Sequence, residues 1–201
     1  SPRTSAPVSI LWGYRNLYPI AKIVNSANLN FAYTGFESWT NQGGWSYTGT
    51  PVGSPIPKAG AGCYYLPNGA VTKTISTTGN YRLQFWARSP VALSGGTITE
   101  VTSSLPDRDG WVFYEKNVNI TSANTMLYIS GGTYIDEIRL FPVMSQITSY
   151  TYEPHLGISS QNDENGAATY YEFDSFGRLK FIKDQDKNIL QDFDYRFKRT
   201  N

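Results

Sequence analysis

In the last third of the chain an aromatic and acidic pair returns every 20 or 21 residues: Tyr152-Glu153, Phe173-Asp174 and Phe193-Asp194. Between these pairs lie Asp163-Glu164-Asn165-Gly166 and Asp184-Gln185-Asp186-Lys187-Asn188, whose first residues are again 21 apart. Residues of these types tolerate the positive φ that a tight hairpin needs, so each unit predicts strand, turn, strand, turn. Repetition at this period restricts the fold strongly. One such unit cannot bury its apolar face, and fewer than three rarely stand alone. The units here must therefore continue a sheet begun elsewhere or lie on a neighbouring domain.

The start of the chain is expected to supply part of that sheet, because Ser9 to Ile23 reads as strand, a turn containing Gly13, and strand. It forms one more degenerate unit. Residues 27–143 are then an insertion between consecutive hairpins, which requires its two ends to lie close together. Strand-like runs occur there at 28–33, 45–49, 62–66, 70–76, 80–88, 97–102, 111–120, 125–130 and 133–141, bounded by Gly, Pro, Asn, Asp or Ser-Thr clusters. Short strands at this spacing predict an all-β sandwich. Within Asn80–Arg88, Tyr81, Leu83, Phe85 and Ala87 alternate with Arg82, Gln84, Trp86 and Arg88, so the first set is expected to face the core and the second to face outward. Composition agrees, with 15% aromatic and only 16% charged residues against roughly 25% charged for an average domain.

At the repeats a family becomes recognisable. Tyr171-Glu-Phe-Asp-Ser-Phe-Gly-Arg-Leu179 resembles the YD repeat of the RHS family over residues 148–197, with two departures: Glu153 replaces the usual Asp, and His155 is inserted before Leu156-Gly157. The resemblance implies a fragment of a larger secreted or surface-exposed bacterial protein, whose repeats form a spiralling sheet of β-hairpins. A second resemblance spans about 115 residues. Thr34-Gly-Phe-Glu-Ser-Trp39, Tyr81–Arg88, Trp111-Val-Phe-Tyr-Glu115 and Tyr134-Ile-Asp-Glu-Ile-Arg-Leu-Phe141 are similar in order and spacing to galactose-binding-like jelly rolls, which include many carbohydrate-binding modules. The expected organisation is a degenerate YD-like hairpin at 1–26, a jelly-roll β-sandwich at 27–143, and two YD-type hairpin repeats at 144–201.

These expectations carry candidate sites. A sugar site needs flat aromatic faces and planar polar groups, which selects Trp86 with Gln84, Arg82 and Arg88 on its own strand face, and Tyr114 on a nearby strand. Trp39 and Trp45, in the loop that follows Glu37, form a second group. The alternative is that these aromatics fasten the jelly roll to the repeat layer and bind nothing. The jelly-roll resemblance further implies a structural Ca²⁺ near the first and last strands, with Glu37 and Asp136 at the matching positions. The competing reading has both carboxylates capping backbone amides without an ion.

Other chemistry finds little support. The one histidine, His155, sits in a turn without a nucleophile motif beside it, and no phosphate loop, Cys/His metal cluster or nucleophile elbow occurs. No enzyme is expected. A remote glycoside hydrolase or lyase is the third reading, and it would require acids converging in a cleft. Net charge is +1 without a basic cluster, which argues against nucleic acid, and no apolar run approaches the ~20 residues of a membrane span. The lone cysteine, Cys63, lies in an apolar run and reads as a buried thiol. Expected partners are a glycan or a cell-surface protein, and the rest of the longer polypeptide.

Overall fold

A computed structural model describes residues 6–26, 30–37 and 42–196. The chain opens with a hairpin, β1 (Val8–Gly13) and β2 (Tyr18–Val24). It then leaves that sheet for nine strands: β3 (Ala32–Thr34), β4 (Tyr64–Tyr65), β5 (Val71–Ile75), β6 (Gly79–Ala87), β7 (Ala92–Ser94), β8 (Thr97–Ser103), β9 (Val112–Ile120), β10 (Thr125–Ser130) and β11 (Tyr134–Pro142). Five more follow: β12 (Gln146–Glu153), β13 (Gly157–Asn162), β14 (Ala168–Phe173), β15 (Leu179–Lys183) and β16 (Ile189–Asp192). Among the described residues the only helical piece is a 3-10 turn at Leu66–Asn68, and no helix is long and apolar enough to cross a membrane.

The nine inner strands form two antiparallel sheets, one in the order β3-β11-β6-β9-β8 with β4 also on β11, and one in the order β5-β10-β7. They enclose the main core. Leu83, Phe85, Val118, Ile138 and Leu140 from the larger sheet meet Val71, Ile75, Leu127 and Ile129 from the smaller, all almost fully buried. This is a β-sandwich, built on the alternation read from Tyr81 to Ala87.

The flanking strands form a third sheet in the order β1-β2-β12-β13-β14-β15-β16. β2 and β12 pair directly, with Val24 opposite Gln146, Ile23 opposite Ile147 and Ala21 opposite Ser149. The chain thus leaves the sheet at Val24 and re-enters opposite it at Gln146, so the 121 residues between them begin and end at neighbouring points. Ile20, Ile23 and Ile147 of this sheet pack on Tyr33 and Phe141 of the sandwich in a second core.

Four turns share one construction, at 107–111, 163–167, 174–178 and 184–188. In each the opening Asp donates its N–H to the carbonyl four residues on and accepts the N–H of the third with its own carbonyl, closing a hairpin loop. Its Oδ1 accepts two further amide hydrogens, those of the residues two and four positions on, at 2.8–3.0 Å. The fourth residue is left-handed: Gly110, Gly166 and Gly177 at φ 80, 83 and 76°, but Lys187 at φ 65°. Glycine adopts this conformation freely, and a lysine there bears a side chain that must be accommodated.

Candidate functional site at the junction of the sheets

The face of β6 that was expected to be open is covered. Trp86 is only 6% exposed and Gln84 fully buried. Lys58, from the loop ahead of β4, places Nζ 3.9 Å from the Trp86 ring centroid, and Phe113 flanks the ring at 5.3 Å. Gln84 Nε2 donates to Glu115 Oε2 at 2.6 Å and to the Glu164 carbonyl, in a turn of the third sheet, at 3.0 Å. Arg82 is half-buried with Nε 3.3 Å from Glu115 Oε1. Of the set, Arg88 is exposed, near Trp111 at the strand's end. The Trp86 face of β6, expected to be open, is thus covered by Lys58, Phe113 and a turn of the third sheet.

The other aromatic candidates scatter. Tyr114 lies on β9 but stacks on Phe85 at 5.2 Å, on the opposite face from Trp86. Trp45 is buried in the sandwich core. Trp39 lies outside the described residues.

The two proposed calcium ligands hold a loop. Asp136 is fully buried at a kink in β11, where its Oδ2 accepts the N–H groups of Lys58 and Ala59 at 2.9 and 3.2 Å and its Oδ1 that of Glu137 at 2.7 Å. Glu37 Oε1 accepts the N–H groups of Ala61 and Gly62 at 2.8 and 3.3 Å. Amide hydrogens therefore point at both carboxylate oxygens of Asp136 and at Oε1 of Glu37. Among the described residues no group of three or more His, Cys, Asp or Glu side chains gathers as a metal site. Trp111 ties the same loop from beneath, its Nε1 donating to the Ile56 carbonyl at 2.9 Å. Cys63 is buried beside it, and burial pushes its thiol up to about 12.

Beyond this loop the buried region between the sandwich and the third sheet is strongly polar. Glu137, next to Asp136 but turned to the other side by a left-handed backbone at φ 52°, accepts the Tyr33 hydroxyl hydrogen at 2.7 Å, Asn162 Nδ2 at 2.7 Å and the Ser149 hydroxyl at 3.3 Å. Arg139, 1% exposed, donates Nη1 to the Asp163 carbonyl at 2.6 Å. Burial raises the carboxyls of Asp136 and Glu137 above their ordinary range, with their mutual repulsion adding to the rise at Asp136. Burial also raises Glu37, to about 7, although the Ala61 and Gly62 amides oppose it.

Where the loop meets the third sheet there is a groove of about 710 Å³, walled by residues 56–61 on one side and by β12, the hairpin turn after it and β14 on the other. Tyr170 anchors its floor by donating to the Lys58 carbonyl at 2.7 Å, and Lys58 Nζ, only 3% exposed, bonds Asp107 at 2.8 Å and the Gln185 carbonyl at 3.2 Å. Lys187 lies over the Tyr170 ring. Burial first, and the nearby Lys58 ammonium second, lower its amine to about 7. Glu37, Glu153 and Glu172 also line the groove, Glu172 tied to Lys183 at 2.6 Å. His155 is exposed in the β12–β13 turn.

Sequence reasoning missed Lys58, Tyr170 and Lys187. One signal was available for the last: aligned on their opening Asp, the turns place Lys187 where Gly166 and Gly177 stand. No model of a known protein family matches the chain, and no match is found among curated proteins.

Proposed function

We propose that the chain is a non-enzymatic structural fragment of a larger secreted bacterial protein of the RHS/YD-repeat kind, in which a jelly roll inserted between consecutive hairpins is fastened to them as a rigid mount. One observation carries this reading. The outward face of the large sandwich sheet, the one available for a ligand in a free-standing carbohydrate-binding module, is spent on the third sheet through Gln84 to the Glu164 carbonyl and Arg139 to the Asp163 carbonyl. Long polar side chains reaching backbone carbonyls across a buried interface fix one register, because displaced by a few ångströms they are left unsatisfied.

A hydrolase would need two acids free to face each other across the groove. Glu37 is engaged by two amides and Glu172 by Lys183, so we assign no catalytic step. A glycan array with the whole chain tests the reading, paired with Trp86→Ala. The array should stay blank and the variant should lose roughly 3–5 kcal/mol of stability. Glycan binding that Trp86→Ala abolishes while stability is kept would restore the sugar platform.

A further inference from the structure

We propose that the two hairpin turns at one end of the third sheet, β1–β2 and β12–β13, form a binding pocket for small aromatic carboxylates. This goes beyond the structural role and does not depend on it.

The aromatic wall comes first. Tyr18 opens β2 and Tyr152 lies near the end of β12, and because these strands pair the two rings stack at 4.7 Å, inclined by 16°. Tyr14 meets both edge-on, at 5.8 and 5.2 Å. Its hydroxyl accepts the Tyr152 N–H at 2.7 Å and donates to the Tyr152 carbonyl at 3.3 Å, while the Tyr152 hydroxyl donates to the Pro19 carbonyl at 2.8 Å. The stack is therefore pinned from both strands, and Tyr18, 36% exposed, keeps one face free of Tyr152. Tyr14, Leu17, Tyr18 and Pro154 give a pocket of about 250 Å³ its apolar walls, and Arg15 and His155 complete it.

The backbone presents these two polar residues at a cost. Tyr14, Arg15 and Asn16 are left-handed in succession, at φ 50, 60 and 63°, although L-residues visit that region singly and unfavourably. The β12–β13 turn closes with the Leu156 N–H on the Glu153 carbonyl. Pro154 takes its second place and His155, left-handed at φ 68°, its third, which is the place of glycine when proline precedes it in such a turn. Glycine would ease both Arg15 and His155. Strain of this kind gathers at binding sites, and here two strained turns meet at one pocket.

Charge selects the ligand. Among the described residues no Asp or Glu lines the pocket, and Glu153, the nearest in sequence, lines the neighbouring groove instead. Arg15 and His155 are exposed and form no ion pair among the described residues. An aromatic cavity with a guanidinium and an imidazole at its rim suits a flat ring that bears one negative group. Of such groups a carboxylate matches the guanidinium fork with two parallel hydrogen bonds. The volume admits one ring or two fused rings and is too small for a chain of sugars.

The test is a titration of the whole isotope-labelled chain with naphthalene-2-carboxylate at physiological salt, followed through the backbone amide resonances. Shifts should saturate with a Kd on the order of 1 mM or below and centre on residues 13–18 and 152–157. Naphthalene-2-methanol, which has the same rings and no charge, should bind at least about fivefold more weakly. The double variant Arg15→Gly/His155→Gly should lose affinity for the carboxylate by a similar factor while keeping its melting temperature, since glycine suits both turns. The comparison with the alcohol needs no variant and stands even if that one is destabilised. The proposal is overturned by no saturable shift up to about 10 mM ligand, by shifts centred on other residues, by the alcohol binding as tightly as the carboxylate, or by a folded double variant that binds like the parent.

Discussion

Replacing Glu37 with Gln should stabilise the protein at pH 8 and leave it nearly unchanged at pH 4. The carboxyl is 5% exposed, and burial raises it from its ordinary 4.5 to about 7. Below pH 4.5 the group is protonated in both folded and unfolded chains and contributes no penalty. As pH rises through that interval the unfolded chain ionises first, so folding stability falls, and above about 7 the loss is complete. At about 1.4 kcal/mol per pH unit, the interval is worth about 3 kcal/mol. Gln keeps the carbonyl oxygen that accepts the Ala61 and Gly62 amides, and it has no charge to desolvate. In a chain of this length 3 kcal/mol corresponds to roughly 6–12 °C in Tm. Urea titrations of both proteins at pH 4, 6 and 8 measure the difference, and subtracting one protein from the other cancels the similar trend from Asp136 and Glu137. A variant less stable than the parent at pH 8, or a difference that does not vary with pH, would refute the argument.

Three further outcomes follow from the same contacts. Adding calcium or EDTA should leave the melting temperature in place, because amide hydrogens already address Glu37 and Asp136; a rise of several degrees with calcium would return both to the role of metal ligands. Gly166→Ala should cost about 1–3 kcal/mol, since a Cβ at φ 83° would stand 2.5 Å from Phe113 Cε2 and 3.0 Å from Arg139 Nη2. Gly177→Ala, also left-handed but meeting only Leu156, should cost about 1 kcal/mol; equal losses at the two sites in urea titrations would show that the docked turn carries no special weight.

The strands were legible where the side-chain period was clean and long. The runs at 80–88, 97–102, 111–120 and 133–141 fall within a residue of β6, β8, β9 and β11, because alternating bulky and polar residues over seven to nine positions admit little besides a strand. The segment 45–49 reads equally well and forms only an isolated bridge from Ser46 to Thr72, and the three-residue β7 is too short to carry a period. The alternation in β6 also named the two faces correctly but not what covers the second one. Arg82, Gln84, Trp86 and Arg88 look like a solvated face, since a mixture of charge, amide and indole is what a surface contains. The cover comes from carbonyls of Asp163 and Glu164, about 80 residues from Gln84, and a backbone acceptor leaves no mark on the sequence. Glu37 and Asp136 were found by position, yet a carboxylate that caps amides and one that binds a cation present the same residue at the same spacing.

The same polarity determines how the molecule should come apart. Glu137 on β11 takes its hydrogen bonds from Tyr33 on β3, within the sandwich, and from Ser149 on β12 and Asn162 on β13, in the third sheet. Arg139, two residues on, donates to the Asp163 carbonyl in the third sheet. Peeling that sheet away would leave a buried carboxylate and guanidinium to be rehydrated separately and would expose the apolar contact of Ile23 and Ile147 with Tyr33 and Phe141. The sandwich on its own is therefore a poor intermediate, and the two parts should unfold together. Guanidinium titrations followed by indole fluorescence, to which Trp45 contributes from the sandwich core and Trp86 and Trp111 from the buried outer face of its larger sheet, and by far-ultraviolet circular dichroism, which counts the strands of all three sheets, should give coincident transitions. Dichroism falling at lower denaturant than fluorescence would mean that the hairpin layer detaches from an intact sandwich, and the interface would then be too weak to act as a mount.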